Sequence, residues 1–296
     1  MPFIPYARLL RLPNVFTAFA DIALGFCVAS SVAGDLPLAW RAVLLFAASG
    51  CLYLAGMVWN DYFDLEEDRK TQAYRPLASG KISVRTAVVI GIALTAVGLA
   101  CATASGREGA IVGGLLVTAI FLYDARIKRT PAGPVSMAAC RFLNVLLGLT
   151  LIDIASLGWP MRLHLAGTIA LYIVGVTWFA RTEEKRSDPR VLRLAALVMS
   201  AAVLLALFVP ARLPAGTSWP AFPYLLVGFV FWVGMPIAAA IRQPTPQRVQ
   251  AGVKRSIFGL VALDAILATA FVGAPGLLIL LLLIPAILLG KLIYST

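Results

Sequence analysis

Of the 296 residues, 60% are hydrophobic and 13% are charged, and a mean hydropathy of +0.90 excludes an ordinary soluble domain. The formal net charge of +11 does not imply nucleic acid, because the basic residues fall in short loops between apolar runs. Membrane topology and affinity for phosphate account for it better.

Apolar runs near the ~20 residues that cross a bilayer lie at about 14–33, 40–59, 85–105, 108–123, 134–156, 163–180, 191–210, 221–241, 256–273 and 276–293. This predicts an all-α polytopic membrane bundle of nine to ten transmembrane helices. The fourth is short, and Gly273-Ala274-Pro275-Gly276 turns the chain before the last run, which is either a further span or an interfacial segment. With the N-terminus inside, 20 of the 25 Lys and Arg face the cytoplasm. Four (Arg41, Arg107, Arg162, Arg212) lie outside and one, Arg141, lies within a span. That is the bias of the positive-inside rule. The chain is expected to be integral to a membrane, read as a bacterial inner membrane, with a cytoplasmic site.

Cys27, Cys51, Cys101 and Cys140 lie in apolar runs without CxxC spacing and read as packing residues. His164, at an outer helix start, is assigned no chemistry. Arg8 and Arg11 ahead of the first run mimic a signal peptide, but the run is longer than a signal core and holds Asp21. A retained first helix is expected.

The first cytoplasmic loop, 60–85, is the most informative. Asn60, Asp64 and Asp68 stand four residues apart, a spacing that puts an amide and two carboxylates on one helix face. Oxygen ligands so held suit Mg²⁺, which takes one or two carboxylates and lets substrate phosphates fill its remaining positions. Asp61, Glu66 and Glu67 add acid, and Arg69, Lys70, Arg75, Lys81 and Arg85 follow as a basic tail. Pro76 and Gly80 predict a turn between two short helical pieces. Acids for metal beside bases for phosphate indicate an enzyme acting on a lipid diphosphate.

In the loop after the sixth span, Glu184 and Asp188 form a second i, i+4 acidic pair on the same side of the membrane. The loop after the fourth span offers Tyr123 and Lys128 as candidate substrate ligands. The loop at 242–255 is basic and proline-rich, with no acid, and is assigned no chemistry. Within the fifth span, Arg141 and Asn144 share a face. A charge there normally lines a cavity or pairs with an acid such as Asp21, and Arg141 is expected to meet the donor's phosphate. Asp21 and Asp264 are read as structural or gating carboxylates.

Asn60-Asp-x-x-Asp-x-x-x-Asp68, followed by Arg75-Pro-Leu-Ala-Ser-Gly-Lys-Ile-Ser83, resembles the signature of the UbiA superfamily of intramembrane prenyltransferases. Arg11-Leu-Pro-Asn14 ahead of the first helix, the Tyr/Lys-Arg loop and the later acidic loop follow the family's order. The resemblance implies about nine helices around a central lipid-facing cavity, with two acidic motifs holding Mg²⁺ and an isoprenyl diphosphate donor. The allylic cation then alkylates a small acceptor that the sequence does not identify. It implies metal-binding and catalytic roles for Asn60, Asp64, Asp68, Glu184 and Asp188. It implies substrate contacts from Arg11, Asn14, Arg75, Lys81, Tyr123 and Lys128, to which the intramembrane placement of Arg141 and Asn144 adds those two. Residues 1–275 would form the core, and 276–296 an additional transmembrane or interfacial helix.

Three features depart from the family pattern. The second motif has Glu184 where Asp is usual, the Tyr123-to-Lys128 spacing is one residue long, and a tenth span follows the core. Aromatic faces at Phe16, Tyr53 or Phe142 could stabilise a carbocation. Two alternatives stand beside transfer: a transporter or lipid-binding protein on the same fold, and a membrane terpene cyclase or diphosphate hydrolase.

Overall fold

A computed structural model describes residues 3–33, 39–181, 187–214 and 218–294, which form helices and turns with no strand among them. In chain order the α-helices are α1 (Phe3–Leu9), α2 (Val15–Ala33), α3 (Ala39–Phe63), α4 (Leu65–Thr71), α5 (Val84–Ala104) and α6 (Arg107–Leu122). They continue as α7 (Gly133–Leu149), α8 (Trp159–Ala180), α9 (Pro189–Leu207), α10 (Phe222–Arg242), α11 (Pro246–Val272) and α12 (Leu283–Tyr294). Nine helical segments among the described residues are long and apolar enough to cross a membrane, and Gly133–Leu149 is a shorter tenth. The chain is an integral membrane protein.

Six helices, α2, α3, α6, α7, α8 and α11, surround a central cavity. Helices α5, α9, α10 and α12 pack outside them and turn apolar side chains outward, among them Ile92, Leu197, Phe231 and Leu288. Such faces are stable only against lipid, where a helix already satisfies its own backbone groups. The crossing of α2 and α7 depends on glycine. A Cβ on Gly25 would stand 2.3 Å from the backbone carbon of Gly148, and one on Gly148 would stand 3.0 Å from the carbonyl of Asp21. This close approach brings Asp21, one turn from Gly25, against Asn144, one turn from Gly148.

Three sequence expectations shift. The fifth span stops at Leu149 instead of reaching 156. The carbonyls freed there are used: Arg41 donates to Thr150 O at 2.9 Å and Arg162 donates to Leu157 O at 3.0 Å and to Ile152 O. Two of the outer basic residues thus staple loops at the far end of the bundle. Helix α11 begins at Pro246, ten residues earlier than the hydropathy of 256–273 indicates. Pro246 opens the helix behind Thr245, a position where its missing N–H costs nothing. The turn around Pro76 is flanked by the short α4 but by the long α5, not by a second short piece.

Past α11 the chain turns at Gly273 (φ 68°) into a 3₁₀ segment, Ala274–Leu282, and then α12. The end of α12 returns to the start of the chain, where Arg8 Nε donates to Ile293 O at 3.0 Å.

Candidate functional site

At one end of the bundle, α3 and α4 carry the first acidic motif. Helix α3 ends at Phe63, yet the i→i−4 ladder continues through the break: Asp64 N donates to Asn60 O at 3.1 Å and Asp68 N to Asp64 O at 2.8 Å. The expected alignment of Asn60, Asp64 and Asp68 is therefore kept, although their side chains meet different partners. Asp64 accepts from Lys128 Nζ and Arg129 Nη2, each at 2.6 Å. The hydrogen bond from Arg129 to Asp64 holds the guanidinium above its ordinary pKa. Asp68 accepts from Arg75 Nη1 at 2.8 and 3.0 Å. Asn60 donates to Asp124 at 2.8 Å and accepts a long bond from Arg11 at 3.4 Å.

Two further carboxylates complete the array. Asp61, only 4% exposed, binds Arg11 at 3.1 Å and lies 3.7 Å from Arg75. Asp124 lies 4.0 Å from Lys128. Arg75 thus bridges Asp61 and Asp68, Lys128 bridges Asp64 and Asp124, and Asn60 links the two halves. Neither Asp61 nor Asp124 was singled out from the sequence as a site residue. The signal was there: an acid inside the apolar end of α3, and an acid next to Tyr123 within a membrane-edge segment.

The extra residue between Tyr123 and Lys128 has a structural answer. Residues Tyr123–Ile127 form a π-helical turn in which Lys128 N donates to Tyr123 O at 3.0 Å. A π-turn absorbs one inserted residue without rotating the residues beyond it. Tyr123 lines the cavity while Lys128 reaches Asp64, so the longer spacing leaves both at the site. Arg11 is held in a left-handed conformation (φ 45°), uncommon for a residue with a Cβ, and this turns the chain between α1 and α2 so that its guanidinium meets Asn60 and Asp61.

Behind this mouth lies a cavity of about 400 Å³. Arg11, Asn14, Asn60, Tyr123 and Asp124 ring its entrance, and Leu52, Gly56, Met57, Leu116, Ile120, Ile173, Val176 and Ile257 form apolar walls. Thr17, Ser49, Tyr53, Arg141 and Asn144 close its inner end. Tyr53 faces the cavity as the sequence allowed; Phe16 and Phe142 are not in its lining.

Several expected ligands fall elsewhere. Arg141 does not stand at the mouth: it donates to Asp21 at 3.2 Å and Thr17 at 2.6 Å and lies 5.6 Å over the Tyr53 ring. Its guanidinium needs a counter-charge in the low-dielectric interior, and Asp21 supplies it in place of a phosphate. Asn144 donates to Asp21 at 2.7 Å and accepts from Ser49 at 2.8 Å. Lys81 is exposed on the turn after Gly80 and joins none of these contacts. Asp188 is exposed and caps α9, accepting from Arg190 N at 2.8 Å, so it is not part of an i, i+4 helical face. Glu184 lies outside the described residues. Arg181, at the end of α8, donates to Thr130 O at 2.8 Å, beside the turn that carries Lys128 and Arg129.

Chemically, carboxylate and amide oxygens interleaved with guanidinium and ammonium groups can hold a hard cation together with a polyanion. No three acids converge on one point among the described residues. Two separated carboxylate pairs suit a metal that takes few protein ligands and completes its shell with phosphate.

The profile of the UbiA prenyltransferase family matches residues 18–258. The chain is 36% identical over 128 residues to a digeranylgeranylglyceryl phosphate synthase of Saccharolobus solfataricus, covering 42% of this chain and 43% of that protein. It is 31% identical over 158 residues to a prenyltransferase of Stachybotrys bisbyi, covering 50% of this chain and 44% of the other. The chain thus spans less than half the length of these relatives. The match to the digeranylgeranylglyceryl phosphate synthase of Thermococcus sibiricus is longer, 26% identical over 277 residues and covering 93% of that protein. The fold is similar to that of a UbiA homolog from Archaeoglobus fulgidus bound to GPP and Mg²⁺, with a TM-score of 0.61, 20% identity, and coverage of 89% of this chain and 99% of that one. On the extent of the profile match and the agreement in fold, the chain belongs to the UbiA prenyltransferase family.

Proposed function

We propose that the chain transfers an isoprenyl group from a polyprenyl diphosphate to a small acceptor, in a Mg²⁺-dependent reaction at the cavity mouth. The observation that carries this reading is the placement of Asp61, Asp64, Asp68 and Asp124, interleaved with Arg11, Arg75, Lys128 and Arg129, at the entrance of an apolar cavity. The hard oxygen donors fit Mg²⁺, with Asn60, Asp64 and Asp68 as the residues to hold it. When bound, the metal neutralises charge on the leaving diphosphate.

The chain's own residues would do the rest. Lys128, Arg129, Arg75 and Arg11 already stand on carboxylates, so shifting toward phosphate oxygens exchanges one anionic partner for another. Fixed cations of this kind stabilise charge that develops as the diphosphate departs. The apolar walls exclude water from the allylic cation, and the faces of Tyr53 and Tyr123 can attract it. Glu184 and Asp188 remain part of the proposal as a second acidic motif, supported by the contact between Arg181 and Thr130 at this end.

The site would open to the cytoplasm of a bacterial inner membrane, the side favoured by the charge bias. Residues 1–275 would be the catalytic core, with 276–296 bracing the start of the chain. Membranes containing the chain, given labelled geranylgeranyl diphosphate and Mg²⁺ with and without an acceptor panel, test the reading. A prenylated acceptor supports transfer. Cyclised or hydrolysed donor formed equally well without acceptor identifies a cyclase or hydrolase, and uptake into sealed vesicles without product identifies transport.

A further inference from the structure

We infer that the inner end of the cavity is an acceptor subsite that selects an uncharged, hydroxyl-bearing molecule over an anionic one. This rests on the prenyl-transfer reading above and adds the charge of the second substrate.

The subsite is built from α2, α3 and α7. Thr17, Ser49, Tyr53, Arg141 and Asn144 face the cavity. Tyr53 precedes Asn60 by seven residues on α3, which sets this floor about 10 Å below the mouth at ~1.5 Å per residue. A molecule of one ring or a few carbons fills that depth, with its reacting atom toward the mouth and its far end on the floor.

The charge of the floor is fixed by its packing. Asp21 is fully buried, and one carboxylate oxygen accepts from both Arg141 and Asn144. The guanidinium 3.2 Å away favours the ionised carboxylate, so Asp21 neutralises Arg141. Asp264, on α11, is likewise 0% exposed. No donor reaches either oxygen of Asp264 or the free oxygen of Asp21. Protonated, Asp264 adds no charge to the Asp21–Arg141 pair. If Asp264 were ionised instead, the floor would be net negative. In either state the floor has no surplus positive charge.

The entrance does not change this balance. The only other cation in the lining among the described residues is Arg11, which meets Asp61 and belongs to the diphosphate region. An acceptor with its own carboxylate or phosphate would therefore place a second anion beside a neutral or negative cluster, and an uncompensated buried anion is expensive. Hydroxyl groups, in contrast, can exchange hydrogen bonds with Ser49, Thr17 and Asn144. In the transfer step the donor's C1–O bond breaks with its electron pair going to diphosphate. The acceptor hydroxyl oxygen bonds to C1, and its proton leaves with the diphosphate.

The test uses the full chain in detergent, with Mg²⁺ and labelled geranylgeranyl diphosphate, and acceptor pairs matched in shape and differing in charge: 4-hydroxybenzamide against 4-hydroxybenzoate, and 4-hydroxybenzyl methyl sulfone against 4-hydroxybenzyl sulfonate. Product formation and equilibrium binding of the labelled acceptors are both read. The uncharged member of a pair is expected to bind and react at least about tenfold better, a difference of ~1.4 kcal/mol. Asp21→Asn, which leaves Arg141 uncompensated, is expected to shift the ratio toward the anionic member by a similar factor. Equal or better use of the anionic member by the wild-type chain overturns the inference. So does an unchanged ratio in an Asp21→Asn protein that still binds donor, or failure of every pair while donor is consumed. If donor is neither bound nor consumed, the transfer reading fails instead, and acceptor binding alone decides the charge of the subsite.

Discussion

The backbone N–H of Lys128 donates to the carbonyl of Tyr123, five residues earlier, at 3.0 Å. This one π-turn lets Tyr123 face the cavity while Lys128 Nζ stands 2.6 Å from Asp64. Deleting Ala125 is expected to convert the turn to α-helix and keep Lys128 on Asp64. Inserting an alanine after Ala125 would rotate Lys128 by about 100°. Mg²⁺-dependent donor binding is expected to survive the deletion and to be lost in the insertion. Loss in both would mean that the register of Lys128 is not what matters.

Asp61 and Asp64 differ in what their removal exposes. Asp61 is buried beside Arg11 and Arg75, and Asp61→Ala removes the carboxylate that Arg11 meets at 3.1 Å, while Arg75 keeps Asp68. A destabilisation of about 2–3 kcal/mol is expected, seen as a lower midpoint of thermal unfolding in detergent. Asp64→Ala is expected to cost less, because Arg129 is 58% exposed and surface ion pairs contribute little, while Lys128, 10% exposed, keeps Asp124 and the Asn60 carbonyl as partners. Equal destabilisation by the two would contradict this division.

The helix crossing beneath the acceptor floor depends on two glycines. Gly25→Ala places a methyl group against the backbone of Gly148, which no rotamer change relieves. A loss of about 1–3 kcal/mol is expected, with separation of Asp21 from Asn144. Gly114, whose Cβ would meet nothing within 4 Å, is the control, and Gly114→Ala is expected to leave the unfolding midpoint unchanged.

Much of this was legible in the sequence, and the misses have identifiable causes. Hydropathy located the spans because each must be apolar along a fixed length, and spacing found Asn60, Asp64 and Asp68. It overextended the fifth span because Leu151 and Ile152 are apolar, although they pack in a loop whose carbonyls Arg41 and Arg162 cap. It shortened α11 because Gln247, Arg248, Gln250, Lys254 and Arg255 are polar, although Thr245-Pro246 marks a helix start. Asp61 and Asp124 were missed as site residues because a helical face drawn from Asn60 excludes one and attention to Tyr123 and Lys128 passed over the acid between them. Lys81 matched a motif but projects into solvent. The pairing of Arg141 with Asp21, which the sequence offered as the alternative to a phosphate contact, depends on the meeting of Gly25 and Gly148, more than a hundred residues apart.

Topology provides an independent check. Ser79→Cys and Gln247→Cys are exposed at the end that carries the acidic network, and Ser156→Cys is exposed at the other. The first two are expected to react with an impermeant thiol reagent from the cytoplasmic side only, and Ser156→Cys from the opposite side only. Labelling of positions 79 and 247 from opposite faces would contradict the orientation.

The most direct measurement is equilibrium binding of labelled geranylgeranyl diphosphate to the purified chain with and without Mg²⁺, for the wild type and Asp64→Ala. The account predicts tight binding by the wild type only with Mg²⁺, and a loss of about 100-fold or more in Asp64→Ala. Unchanged affinity in the variant, or wild-type binding indifferent to Mg²⁺, would contradict it.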